Sequence, residues 1–275
     1  MSSGQDIGSL NPPNAADSGS VPLAQAQDLA LTVTMYFEGG NSAYQALADD
    51  FDGMGTSFGL IQWNFGAGTL GPLLLKMMNA DPAAFAGCFG ANANFDALKS
   101  AITAASVSQQ LIWARGLIAS NRAAWKAAFV AIGTNPTFNQ IQRQQAITHY
   151  HARALTVIAS LRRISSDLMV NVEVRSYVAI FDLCVQQNGI DNVLDSIKAK
   201  VLAAAPTTQL ALVTMAVQQR ALSAKAKYVA DCMSRRMGIL TGANYTATEN
   251  GVSSTRQNPK LGLIAAVGTK FVEGL

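Results

Sequence analysis

A glutamate at the end of an apolar run, followed by three aspartates and a glycine-rich segment, is the pattern here best suited to acid–base chemistry. Glu38 closes the run carrying Leu29, Val33, Tyr36 and Phe37. Asp49, Asp50 and Asp52 follow beside Gly53 and Gly55, and then comes Thr56-Ser57-Phe58-Gly59-Leu60-Ile61-Gln62-Trp63. Glycosidic cleavage needs one carboxyl to protonate the leaving oxygen, and a second carboxylate across a sugar-sized gap to activate water or attack directly. The carbonyls of a helix end disfavour a nearby negative charge, and aromatic neighbours add desolvation. That is the setting a general acid uses. The plainer reading is a solvated glutamate at a frayed helix end, with aspartates that make turns beside glycine. Asp50-Phe51-Asp52-Gly53 has the outline of a calcium loop, but the further ligands and the closing glutamate are missing.

Positioning these groups requires a helix, a turn and a ribbon. The spacing of apolar residues predicts a helix from Pro22 to Glu38 that stops at Gly39-Gly40. Asp52-Gly53 ahead of a β-leaning run predicts a small hairpin within residues 41–65. From Thr69 to Gly238 the pattern reads as helix. Thr69, Asp81-Pro82, Ser106 or Ser108, Asn135-Pro136, Asp167 and Pro206 are the expected starts, and Gly189 and Gly238 the expected stops. Residues 240–259 read as a surface loop, and Leu261 to Phe271 as a short last helix. The expectation is a mainly α, lysozyme-like α+β fold of roughly ten helices, with residues 1–22 a flexible leader and 23–275 one domain.

Composition narrows the classes. Hydrophobic residues make up 49% of the 275 and charged residues 13%, which excludes a disordered chain. No run of about 18 apolar residues occurs, so membrane insertion is not expected. The net charge of +3 is too small to point to nucleic acid. Cys88, Cys184 and Cys232 are odd in number and far apart, so each is expected as a small core hydrophobe and not in a disulfide. His149 and His151 lie two apart, on different faces of a helix, and no metal or cofactor is expected. Cys184 near Asp182 matches no nucleophile motif.

The segment from Glu38 to Gln62 resembles the signature of the lysozyme-like superfamily. In goose-type lysozymes and lytic transglycosylases a catalytic glutamate precedes a Gly-(Phe/Tyr)-Gly-Leu-(Met/Ile)-Gln stretch, which Phe58-Gly59-Leu60-Ile61-Gln62 resembles. The resemblance implies Glu38 as catalytic acid, Gln62 as a cleft-lining residue, and Asp52 or Asp50 as the water-positioning carboxylate. The chain departs from that pattern at Gly39, where goose-type enzymes usually have serine, and at Asn64, where some relatives carry an acid. The helical half, with Ala179–Gly189, Arg220, Arg235 and Arg236, is similar to the chitosanase branch of the superfamily.

Other candidates follow from residue type. Tyr44 and Trp63, with Tyr36 and Phe65, are candidate stacking platforms for sugar faces. Thr56 and Ser57 are candidate water-orienting hydroxyls. Arg220, Arg235 and Arg236 are candidate partners of the ribbon carboxylate, or simply solvated. The resulting expectation is a peptidoglycan muramidase. The alternatives are a lytic transglycosylase, a chitosanase, and a non-catalytic wall-binding module. The opening residues, Met1 to Val21, have neither a basic start nor an apolar stretch, so no signal peptide is expected. Delivery by a secretion system or phage lysis would then carry the protein to the wall. An effector of that kind would imply an immunity or inhibitor protein as partner.

Overall fold

The computed structural model describes residues 19–38, 40–50, 53–90 and 94–275. Leu31–Ala152 pack as one compact unit, and residues 19–30 with Arg153–Leu275 as a second. Helices predominate in both.

The first unit begins inside α1 (Leu23–Phe37), where an apolar face recurs at helical spacing. A 3-10 helix, Gly40–Gln45, leads into a three-stranded antiparallel ribbon of β2 (Leu47–Ala48), β3 (Ser57–Phe58) and β4 (Trp63–Asn64). Ser57 pairs with both Ala48 and Asn64, and Phe58 with both Leu47 and Trp63. The helices α2 (Leu70–Ala80), α3 (Pro82–Gly87), α4 (Asn94–Ala104), α5 (Val107–Ser120), α6 (Arg122–Thr134) and the start of α7 (Pro136–Ile164) complete the unit. Two starts have full caps: Asp81 accepts the Ala84 N–H, and Ser106 forms a capping box with Gln109. Thr69 does not cap α2. Its hydroxyl instead exchanges hydrogen bonds with the Asn64 backbone, closing the end of the ribbon.

An aromatic core welds the ribbon to these helices. Phe58 lies 4.9 Å from Phe129 of α6, and Phe65 meets Trp113 of α5 edge-on at 5.7 Å. Trp113 in turn meets Trp125 at 5.3 Å. Such pairs add about 0.5–1.5 kcal/mol each beyond the area they bury. Close approach also needs a bare backbone at Gly133, where a Cβ would stand 2.4 Å from the Tyr44 carbonyl oxygen.

The second unit holds β1 (Ser20–Val21), the rest of α7, a 3-10 turn at Asp167–Met169, α8 (Val174–Gln187), α9 (Leu194–Ala204), α10 (Gln209–Leu222), α11 (Ala226–Thr241), a hairpin of β5 (Thr246–Glu249) and β6 (Val252–Thr255), α12 (Leu261–Val267) and β7 (Phe271–Val272). α8 is its spine, buried from Ser176 to Cys184.

Several sequence expectations are corrected here. The helix expected from Asp167 to Gly189 is broken because the C-terminal segment uses its backbone. Val172 accepts from Val272, while Val174 and Arg175 donate to Lys270 and Gly268. Gly238 does not end α11; the helix runs to Thr241 and closes on Gly242 at φ +69°. Residues 240–259 are not a plain loop but carry the β5–β6 hairpin, turned by Asn250 and Gly251 at φ +51° and +75°. Helix α9 was not anticipated, and Pro206 lies ahead of α10, which Thr208 caps. The end of the leader is ordered: Ser20 and Val21 pair in parallel with Phe271 and Val272.

Candidate functional site

Glu38 follows directly on the last residue of α1, and its N–H is still bonded to the carbonyls of Met35 (3.0 Å) and Thr34 (3.3 Å). Its side chain is half-buried. The helix end is tied towards the ribbon through its preceding turn. The Met35 sulfur takes the Tyr44 hydroxyl at 3.8 Å and Arg143 of α7 at 4.0 Å. Beside Arg143, the fully buried Gln142 accepts the Leu60 N–H at 2.9 Å and donates to the Tyr44 carbonyl at 3.2 Å. One α7 turn therefore holds both the segment after Glu38 and the tip of the ribbon.

The tip is tightly made. Gly59, Leu60, Ile61 and Gln62 form the β3–β4 turn, closed by Gln62 N–H on the Gly59 carbonyl at 3.0 Å. Gly59 sits at φ +81°, and a Cβ there would lie 2.4 Å from Gln142 Oε1, so glycine is required twice over. Gln62 adopts a left-handed φ of +55°, and its amide donates to the carbonyls of Gly59 (3.1 Å) and Ala46 (3.4 Å). A non-glycine residue in that conformation costs of order 1 kcal/mol, and here the side chain binds its own ribbon. Sequence reasoning placed Gln62 on the ribbon but did not foresee this turn-locking role.

The aspartates differ from one another. Asp50 accepts the Gly55 N–H at 2.6 Å on one oxygen and Arg115 Nε at 2.7 Å on the other. Those contacts, the Gly55 N–H foremost, hold its carboxyl below the usual 3.8 against partial desolvation. Arg115 also donates to the Gly53 carbonyl at 2.6 Å, so Asp50, Gly53 and Gly55 are tied together through Asp50 and Arg115. Asp49 pairs with Arg122 at 2.6 Å. Asp52 lies outside the described residues, as do Gly39 and Phe51.

The remaining candidates divide by burial. Thr56 and Ser57 are interior residues of the ribbon, and Trp63 is only 6% exposed, which leaves its ring no open face for a sugar. Phe65 is fully buried, whereas Tyr36 is 40% exposed. Tyr44 is half-buried with its hydroxyl on Met35.

In the second unit, the arginines expected as carboxylate partners or solvated groups are internal. Arg235 pairs with buried Asp182 at 2.6 Å, and fully buried Arg236 donates to Gln186 at 2.6 Å and to the Cys232 carbonyl at 3.1 Å. Arg220 caps the end of α8, donating to the carbonyls of Gln187 and Gly189 at 2.6 and 2.7 Å. Asp50 and Asp49 are paired by Arg115 and Arg122 instead, a role the sequence did not suggest. Burial pushes the Cys184 thiol up to about 12, the opposite of an activated nucleophile. No group of three His, Cys, Asp or Glu among the described residues could hold a metal ion. No helix among them is long and apolar enough to cross a membrane.

Comparison with known proteins gives one kind of match. No family model matches the chain, and no curated protein matches it in sequence. A solved chitosanase complex superposes on 84% of this chain and 96% of its own, with a TM-score of 0.50 and 16% identity. The fold is similar to that of this chitosanase. At such low identity the likeness speaks for architecture alone. It supports the mainly α, lysozyme-like fold expected from the sequence.

Proposed function

We propose that the chain is a glycoside hydrolase that cuts a β-linked amino-sugar glycan, with Glu38 as general acid and bacterial peptidoglycan as substrate. One observation carries this reading. In a fold shared with a chitosanase, Glu38 stands at the end of α1 while Gln142 of α7 ties both Tyr44 and the Phe58–Gln62 ribbon that follow it.

In the proposed reaction the Glu38 carboxyl gives its proton to the bridging oxygen as the C1–O bond breaks. Water adds to C1 and yields its proton to a second carboxylate. Of the three ribbon aspartates, Asp49 and Asp50 are engaged by arginines. Asp52 is therefore assigned as the water-activating base. Tyr44 and Gln62 are assigned to the substrate side of the ribbon, with Thr56 and Ser57 as supporting residues of its interior.

The chitosanase likeness favours chitosan as a second reading. A cationic polymer calls for an acidic cleft, yet two of the ribbon's carboxylates are neutralised by arginine, so peptidoglycan is preferred. Digestion of purified sacculi and of chitosan in parallel, with mass spectrometry of the products, decides between them. Soluble muropeptides with new reducing ends support hydrolysis of the wall, anhydro-muramyl ends indicate a transglycosylase, and chitosan fragments alone overturn the peptidoglycan assignment. Binding to sacculi without cleavage leaves a wall-binding module. Delivery as an antibacterial effector or phage lysin, with an immunity protein as partner in the former case, is tested by toxicity confined to periplasmic expression.

A further inference from the structure

The second unit carries a groove that the proposed chemistry does not use. It encloses about 310 Å3 between α10, α11 and the β5–β6 hairpin, and all of its walls belong to that unit. This is at the lower end of the roughly 300–1,000 Å3 typical of small-ligand sites. Its floor is Met233 and Ala247, the outer members of an apolar cluster with Ala221 and Ala230, and half-buried Tyr245 packs beside them. Its walls are polar: Gln218 and Gln219 from α10, Thr246 and Thr248 from β5, with Lys200 and Glu249 at the margin.

The side chains of Gln218 and Gln219 make no hydrogen bond to protein among the described residues, so two amides, each able to donate and accept, stand available on one wall. The opposite wall is strand β5, which the Thr246–Thr255 and Thr248–Ser253 hydrogen bonds on its outer face (2.6 and 2.8 Å) and the Asn250-Gly251 turn hold in the hairpin. The one cation and one anion cancel, and a half-buried tyrosine supplies a ring beside an apolar floor. A ligand matching this carries hydroxyl or amide groups to meet the glutamines and an apolar face to meet the floor. Pyranose rings of a glycan have those properties.

We propose that this groove is an accessory binding site for an amino-sugar glycan, one that holds the polymer while cleavage occurs elsewhere on the chain. The proposal rests on the glycan reading above, and its test is arranged so that the two can fail separately. The parent protein is Glu38→Gln, which leaves the polymer intact during binding. Onto it are placed Gln218→Ala with Gln219→Ala, both at half-exposed positions and outside the catalytic assignment. Co-sedimentation with purified sacculi and with insoluble chitosan measures binding to each source. Titration with the N-acetylglucosamine tetramer is followed by NMR at the Gln218 and Gln219 side-chain amides. The expected result is a loss of about tenfold in affinity for at least one polymer, from two deleted hydrogen-bonding groups. The same two substitutions in the otherwise wild-type chain should leave turnover of a soluble oligosaccharide unchanged. Unchanged sedimentation with no shift at the glutamine amides overturns the proposal. Equal losses of binding and soluble turnover also overturn it, because the groove would then belong to the reaction site. An inactive wild type whose binding still depends on Gln218 and Gln219 sinks the hydrolase reading and leaves the groove standing.

Discussion

Replacing Gln142 by leucine tests whether the ribbon is held where the candidate site needs it. The substitution nearly keeps the side-chain volume, so little cavity is left. It removes both hydrogen bonds of a fully buried amide, to the Leu60 N–H and to the Tyr44 carbonyl. Each backbone group left unpaired costs about 1–3 kcal/mol, so the loss should be roughly 2–6 kcal/mol before relaxation. That is a large part of the 5–15 kcal/mol typical of a folded domain. Urea denaturation gives the total, and hydrogen exchange at the Leu60 amide shows where it arises. The Leu60 amide should lose protection well beyond the global change, and any glycan-cleaving activity should fall with it. A loss under about 1 kcal/mol with Leu60 still protected would refute the view that Gln142 secures the ribbon tip.

Other outcomes follow from the same contacts. Asp182→Ala strands the buried Arg235 guanidinium and should cost about 3–5 kcal/mol by denaturation, whereas a pair of no consequence would cost almost nothing. Asp50 is held below its ordinary value of 3.8, so its contribution is complete above that value and is lost as pH falls through the lower folded one. Arg115→Ala should move the Asp50 midpoint up towards 3.8 in a carboxyl NMR titration; an unmoved midpoint would detach Arg115 from the loop. A thiol reagent should modify half-exposed Cys88 well before buried Cys184 and Cys232 in the native protein, and the three should react alike once it is unfolded.

The sequence made much of this architecture legible where local chemistry and tertiary demand agree. The apolar spacing of α1 and the proline at the start of α3 reappear as read, and of the two expected starts Ser106 and Ser108 it is Ser106 that caps α5, because a helix end is decided by a few neighbouring residues. Residues 167–174 misled because long-range partners, the Lys270 and Val272 backbone among them, overrode a locally helical pattern. The β5–β6 hairpin was within reach: Asn250-Gly251 between threonine-rich runs is a strong turn signal, obscured by the polar composition around it.

In the candidate site, residue type singled out Glu38, Asp50 and Gln62 as candidates but not their contacts. Nothing adjacent in sequence reveals that Arg115, sixty-five residues beyond Asp50, takes up that carboxylate, or that Gln142 lies under Gly59. Trp63 and Phe65 looked like sugar platforms because aromatic residues serve cores and carbohydrate sites alike. The burial of both, and the packing of Phe65 on Trp113 of α5, became visible only in three dimensions.

The account stands on the carboxyl of Glu38, and the most direct measurement compares wild type with Glu38→Gln on purified sacculi, counting new reducing ends by mass spectrometry. Loss of a general acid commonly costs about 10²–10⁴ in rate. The variant should therefore fall by that order, with its unfolding transition and sacculus binding kept. Reducing ends released by the glutamine variant as fast as by wild type would contradict the assignment.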